Sequence, residues 1–405
     1  MISRRRVVIT GMGCVTAAGP GAAPLWAMAR DGKSGVRPFT LDRIDHQHVR
    51  TAAHLSEFDP YACLDKQLVP TIDRFTQFAL VAAGEAIDQA AAASPFHFDE
   101  RVGVIIGSGI GGATTSDEQH YAFYVAKSRT DPFTIPRVMP NAAASHISIR
   151  YGARGPCFAV SSACSSASQA IGLGLQAIRS RLIDACIVGG SEALLTPATF
   201  RAWESLRVMT STLCRPFSKD RNGMVLGEGA GVLVIEAEDT ALARGAVPLA
   251  ELAGYGTSSD AADIVRPDAD GAARSIRLAL DDAGLRPEDI GYVNAHGTGT
   301  ILNDTCETTA IAAVFGSSME TLSVSSTKPV HGHTLGAAGV IELVITVCAL
   351  NDQIAPPTIN WLDRAPGCIA DPVPNTARPR SIRAALSNSF AFGGINACLA
   401  VTPYH

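Results

Sequence analysis

The chain predicts an α/β fold made of two similar halves, on three observations. Its 405 residues exceed what a single hydrophobic core organises, so two core units are expected. Short apolar runs of strand character alternate with segments of helical spacing along the whole sequence. One short wording also recurs once per half: Val160-Ser161-Ser162 precedes Cys164 and a helical pattern, and Val324-Ser325-Ser326 precedes Lys328, His333 and another. The mostly polar stretch 236–246 sets the division at 1–245 and 246–405.

In chain order, residues 7–11 form a first strand. A helix covers 73–90, where Phe75, Phe78, Ala79, Ala82 and Ala86 share one face. Residues 101–107 (RVGVIIG) are a buried strand that ends in the glycine run 108–112. That run lacks the Lys and Ser/Thr of a phosphate loop and an acidic ribose ligand, so it reads as close backbone packing rather than nucleotide binding. A long connection spans 117–140, and a helix covers 141–151. Strands follow at 184–190 and 227–236. In the second half, strands are expected at 250–256, 292–297, 322–326 and 383–389, and helices at 271–280, 305–315 and 335–350.

Composition narrows the function. Hydrophobic residues make up 47% and charged residues 18%, which indicates a large interior. Net charge is −5 with no long basic run, so nucleic acid is not an expected partner. The basic start, Met1 to Arg6, passes directly into the first strand and is too short for a secretory leader. No apolar stretch reads as a membrane span. Ten cysteines lie scattered, none in a CxxC pair, which argues against a zinc site and for reduced thiols in a cytoplasm.

Residues 160–171, VSSACSSASQAI, organise the rest. The apolar run 157–160 reads as a buried strand, followed by a sharp turn and a helix with Cys164 at its N-terminus. A helix N-terminus lowers a thiol's pKa, and a thiolate is a nucleophile. A lone cysteine is by default a buried structural residue, so other groups must support this role. Three strand-end turns offer them: 294–300 with His296, 325–333 with Lys328, His331 and His333, and 387–394 with Phe392 and Gly393. The last pair of glycines would let backbone N–H groups point into a site. His331 and His333 lack an acidic or third ligand, so no metal is expected there. One Cys with one His and an orienting group makes a hydrolase or acyltransferase. One Cys with two His donors makes an acyl-enzyme and stabilises an enolate. The residue types alone leave both open, and also leave open a non-catalytic partner that only binds a carrier.

The wordings VSSACSSASQAI, NAHGTGT, STKPVHGHTLGAAG and SNSFAFGGINA together resemble the β-ketoacyl-acyl-carrier-protein synthases of the elongating type. GSGIGG, RGP at 154–156 and RPFSKDRNGMVLGEGAG at 215–231 are similar to the same family, so the likeness runs through nearly the whole chain. QLVPTIDRF, WESLRV and NAHGTGTILND resemble the rhizobial nodulation-protein-E branch and similar secondary-metabolism synthases.

The resemblance implies a thiolase-like fold, with duplicated halves in five αβαβα layers, normally dimeric. It implies condensation of malonyl-carrier with an acyl group held on Cys164, extending a fatty-acid or polyketide-like chain, polyunsaturated chains included. His296 and His333 match the pair that supports decarboxylation, and Lys328 matches the lysine that organises the site. Phe392 matches the gating aromatic, whose N–H would form an oxyanion hole with that of Cys164. Thr298 and Thr300 match the hydroxyls that hold the phosphopantetheine arm. Ile110, Trp203 and Gly393 fall where the family binds substrate. No cofactor of the enzyme's own is implied, because substrates ride on the phosphopantetheine of an acyl carrier protein. That carrier is acidic, which makes Lys66, Arg74, Lys127, Arg129 and Arg207 candidates for its docking rim. The implied partner subunit is a second copy or a chain-length-factor-like chain. Departures are Ile301 where proline is usual, His331 where threonine is usual, and a bulky Trp203. Retention of Cys164 is unlike a chain-length factor, and His333 is unlike an initiating synthase or a degradative thiolase.

Overall fold

The computed structural model describes residues 4–404. Ten principal strands build it: β1 (Val7–Thr16), β2 (Val102–Gly107), β3 (Cys157–Val160), β4 (Ala185–Glu192), β5 (Gly229–Ala237), β6 (Ala250–Ser259), β7 (Tyr292–Asn294), β8 (Ser323–Ser325), β9 (Ala385–Ala391) and β10 (Ile395–Thr402). Seven helices matter for the site: α1 (Arg74–Ala91), α2 (Ala142–Tyr151), α3 (Ser166–Arg179), α4 (Pro197–Ser205), α5 (Ala269–Ala283), α6 (Ile301–Phe315) and α7 (Ala338–Asp352).

The duplication is explicit in the sheet. The first half runs β1-β5-β4-β2-β3 and the second β6-β10-β9-β7-β8. In both halves the second strand pairs parallel with the third and fourth, and the fifth pairs antiparallel with the fourth and first. The halves join edge to edge where Val8 meets Glu251 and Ile9 meets Ala250. Parallel strands cannot be joined by a hairpin, so helices carry the connections: α1–α3 link β1 through β4, and α5–α7 link β6 through β9.

Three apolar clusters place the layers. One lies between α1/α2 and the first half-sheet, and another between α5/α6 and the second. The largest gathers α3 and α7 with strands of both halves. The order is therefore α1/α2, sheet, α3/α7, sheet, α5/α6, which is the expected five-layered arrangement. Because α7 is enclosed on all sides, it can be apolar all round. The run Leu335–Asp352 is apolar and long enough to cross a bilayer by length and composition, contrary to the sequence reading, but 83% of it is buried inside the fold.

Several elements differ from expectation. β1 continues to Thr16 and β10 is a full strand that the sequence reading missed. The connection after residue 112 begins with a helix, Ala113–Tyr124, and ends with a short one, Thr134–Val138. β3 is not a buried strand. It is the sheet's outer edge, with Cys157 and Phe158 exposed. All ten cysteines are free thiols.

Candidate active site

β3 ends in a single 3-10 turn, Ala163–Ser165, from which α3 starts. Ala163 holds φ 50°, a left-handed conformation that costs a non-glycine residue about 1–3 kcal/mol. The bend presents Cys164, 6% exposed, with Sγ 3.1 Å from His333 Nε2. Burial pushes the Cys164 thiol up to about 12; the Lys328 charge pulls it down, and Glu342 and Glu192 push it further up. The expected thiolate is therefore not the resting state. Cys164 sits ahead of α3 rather than in its first turn, and loss of hydration outweighs the helix terminus. The resting group is a thiol in hydrogen-bond contact with His333 Nε2, and the imidazole tautomer sets which of the two donates.

His296 follows β7. Its N–H and that of Gly297 donate to the Glu307 carboxylate of α6, at 2.8 and 2.7 Å, which also accepts from Asn388 Nδ2 at 3.2 Å. Lys328 begins a short helical turn after β8, is 1% exposed, and is ion-paired with the equally buried Glu342 of α7. Its ammonium also donates to His296 Nδ1 at 3.3 Å. Neutral His296 then carries its proton on Nε2, where it can donate into the site. Burial, then Lys328, hold both imidazoles well below the usual histidine range, with each helped by a further histidine, His333 for His296 and His331 for His333. The two rings stand nearly perpendicular, 5.4 Å apart. His331 turns away to Thr327 Oγ1 at 3.2 Å and does not converge with His333. Donor atoms of Cys164, His296 and His333 lie within 4.8 Å of one another. No carboxylate joins that trio, and the Lys328 charge beside His296 works against a cation there.

A cavity of about 240 Å³ reaches these groups. Thr298 and Thr300 line it, their hydroxyls 2.9 Å apart, while Thr300 also caps α6. Buried Arg221 pins the carbonyls of Thr300 and Ile301, and Asp304 accepts from Gly299 N–H, so this loop is held from behind. Phe392 and Trp203 form part of the wall and stack on each other. Two expected wall residues are elsewhere. Gly393 spends its N–H on Ile264 O, and Gly394 on Ala391 O, so neither points into the cavity. Ile110 is 44% exposed, because the loop after β2 folds onto Glu192, which accepts its N–H at 3.3 Å.

Among the basic candidates, Arg207 lies on the cavity wall, and Lys66, Lys127 and Arg129 are exposed. Arg74 is not free for docking: it is paired with Glu228 at 2.7 Å and donates to Leu55 O. Sequence reasoning missed Glu307, Asp304, Arg221, Glu192 and Glu342. Glu342 left a signal, as a lone charge inside the apolar run GVIELVITV.

Comparison with known proteins agrees with this geometry. Residues 4–241 match the family profile described as "Beta-ketoacyl synthase, N-terminal domain", and residues 249–362 match its C-terminal counterpart. Nodulation protein E of Rhizobium sp. (strain N33) is 42% identical over 397 residues, 98% of each chain. The 3-oxoacyl-[acyl-carrier-protein] synthase 2 of Staphylococcus aureus (strain COL) is 40% identical over 407 residues, again 98% of each. Among solved structures, the ishigamide ketosynthase/chain length factor superposes with a TM-score of 0.94 at 35% identity, covering 100% of both chains. Matched by both family profiles and about 40% identical to these synthases along nearly its full length, the chain belongs to the β-ketoacyl synthase family, condensing enzymes of the acyltransferase class.

Proposed function

We propose that the chain condenses malonyl-carrier with an acyl group held on Cys164, and that its residues divide the work as follows. The acyl thioester enters along the cavity, with its phosphopantetheine arm against Thr298 and Thr300. Cys164 attacks, its proton passes to His333 Nε2, and the leaving carrier thiolate takes that proton. Malonyl-carrier follows and loses CO2, and the enolate oxygen accepts from His296 Nε2–H. His333 joins as second donor: its Nδ1 makes no hydrogen bond, so either tautomer is open to it. The enolate carbon attacks the Cys164 thioester, the tetrahedral oxyanion rests on the N–H groups of Cys164 and Phe392, and Cys164 leaves. Each turnover releases one CO2 and takes up one proton, which restores the thiol.

The observation that carries this reading is the Cys164–His333 contact at 3.1 Å, with His296 tied to Lys328 beside it. A hydrolase would need only the first pair. Cys164→Ala should abolish chain extension, measured by mass spectrometry of the carrier. Cys164→Gln should abolish extension yet still release CO2 from malonyl-carrier. Extension at the wild-type rate by Cys164→Ala would refute the assignment.

The acyl carrier would dock on a rim of Lys66, Lys127, Arg129 and Arg207. The halves 1–245 and 246–405 act as two domains around one site, in a cytoplasm that keeps ten thiols reduced. The edge strand β3, with Phe158 and nearby Ile110 exposed, favours a second subunit, either another copy or a chain-length-factor-like chain.

A further inference from the structure

Glu192, the last residue of β4, is a fully buried carboxylate that the condensation steps leave unused. Its partners are neutral N–H and O–H groups drawn from both halves of the chain. Oε2 accepts Gly109 N–H, from the loop after β2, at 2.7 Å, and Gly336 N–H, from the bend before α7, at 3.1 Å. Oε1 accepts Ser108 Oγ–H at 3.2 Å and Ile110 N–H at 3.3 Å. An added Cβ would lie 2.9 Å from Oε2 at Gly109 and 2.5 Å at Gly336, so the two backbones meet on one oxygen only because both residues are glycine. Each arm of this joint leads to a reacting group. Gly336 closely follows His333, whose own N–H and carbonyl are fixed to Val225 O and Gly227 N–H. Gly109 O accepts Ser161 Oγ–H at 3.3 Å, and Ser108 N–H donates to Val160 O at 3.0 Å. Those two partners lead β3 into the Cys164 bend. A path from His333 through Gly336, Glu192, Gly109 and Ser161 to Cys164 therefore closes on the Sγ–Nε2 contact of 3.1 Å.

We infer that Glu192 is a positioning residue for acylation: one carboxylate oxygen, shared by the two halves, sets the spacing between Cys164 Sγ and His333 Nε2. The inference rests on the reading of Cys164 as the acylated residue. In that step Sγ bonds to the acyl carbon and the thioester C–S bond breaks. The Cys164 proton passes through His333 to the leaving thiolate. The reach of the side chain matters here, not its charge. Glu192→Gln keeps an oxygen for Gly109 and Gly336, while its amide can donate to Ser108 Oγ, so only the Ile110 contact is lost. Glu192→Asp keeps the charge but is one methylene shorter, and cannot span both glycine N–H groups. A misplacement of about 1 Å at a reacting contact slows a reaction about a hundredfold.

The test is single-turnover acylation of the full chain by octanoyl-N-acetylcysteamine, a small thioester that needs no carrier protein, followed by the mass gain on Cys164. The amplitude counts folded molecules and the rate constant reports alignment, so loss of fold and loss of alignment separate. Glu192→Asp should lower the rate constant at saturating thioester by about ten- to a hundredfold, with the half-saturating concentration unchanged. Glu192→Gln should stay within about fivefold of the native rate, the worth of one weak hydrogen bond. Ser161→Ala cuts the outer link at an exposed residue and should slow acylation by about two- to twelve-fold. Combined with Glu192→Asp it should add nothing further, because both changes break the same path. A native rate constant in Glu192→Asp, with or without a reduced amplitude, overturns the inference alone. So does a slow Glu192→Gln beside a near-native Glu192→Asp, or a double variant whose losses multiply in full. No mass gain on Cys164 in the unaltered chain overturns the condensing reading, and this inference with it.

Discussion

The buried pair of Lys328 and Glu342 carries the most quantitative prediction. Lys328 is 1% exposed, Glu342 is fully buried, and the remaining neighbour of the ammonium is the neutral ring of His296 at 3.3 Å. Glu342→Gln keeps the shape and removes the charge. Leaving one partner of such a pair buried costs about 3–5 kcal/mol. The variant should therefore be less stable by about 3–5 kcal/mol in urea unfolding at pH 8. Lys328→Met with Glu342→Leu removes both charges and should recover most of that loss. A loss under about 1 kcal/mol, or a double variant no more stable than the single one, would refute the reasoning.

Three other outcomes follow from the geometry. Iodoacetamide labelling of Cys164 should rise about tenfold per pH unit between pH 7 and 9, because the thiol titrates near 12; a plateau below pH 8 would mean a stabilised thiolate. Phe158→Glu places a charge on the exposed edge strand and should shift sedimentation towards the monomer, whereas an unchanged assembly would move the interface elsewhere. Lys127→Glu with Arg129→Glu should raise KM for the carrier severalfold, less so at high salt, with kcat unchanged; an unaltered KM removes both residues from the rim.

The alternation of apolar runs and helical spacing made the crossover framework legible, since successive parallel strands are joined through helices. What escaped has physical reasons. The helix Ala113–Tyr124 carries no apolar stripe, so periodicity is silent there. β10 follows directly on the glycine turn at 393–394, with no polar spacer to mark its start. The run CFAV at 157–160 is apolar whether it lies inside a sheet or at an edge awaiting a partner. Motif wording located Cys164, His296, Lys328 and His333, but not their protonation, because burial depends on chain segments far away in sequence. The exposure of Ile110 and the pairing of Arg74 depend on Glu192 and Glu228, 82 and 154 residues distant.

The duplication explains why the site needs both halves. In each half the third strand leads to a 3-10 turn that opens the central helix: Ala163–Ser165 before α3, and Leu335–Ala337 before α7. The first residue of each turn has positive φ, 50° at Ala163 and 43° at Leu335. Cys164 therefore corresponds to Gly336, where an added Cβ would meet Glu192 Oε2 at 2.5 Å. Each turn is held by the other half. Ser165 Oγ donates to Ser389 O at 2.9 Å, at the end of β9. Gly336 N–H donates to Glu192 Oε2 at 3.1 Å, at the end of β4. One copy of the bend carries Cys164. The other carries a closely packed glycine and contributes His333 and Lys328 from the residues just before it. Each bend is tied to the opposite half, so Cys164 and His333 are held in register across the junction.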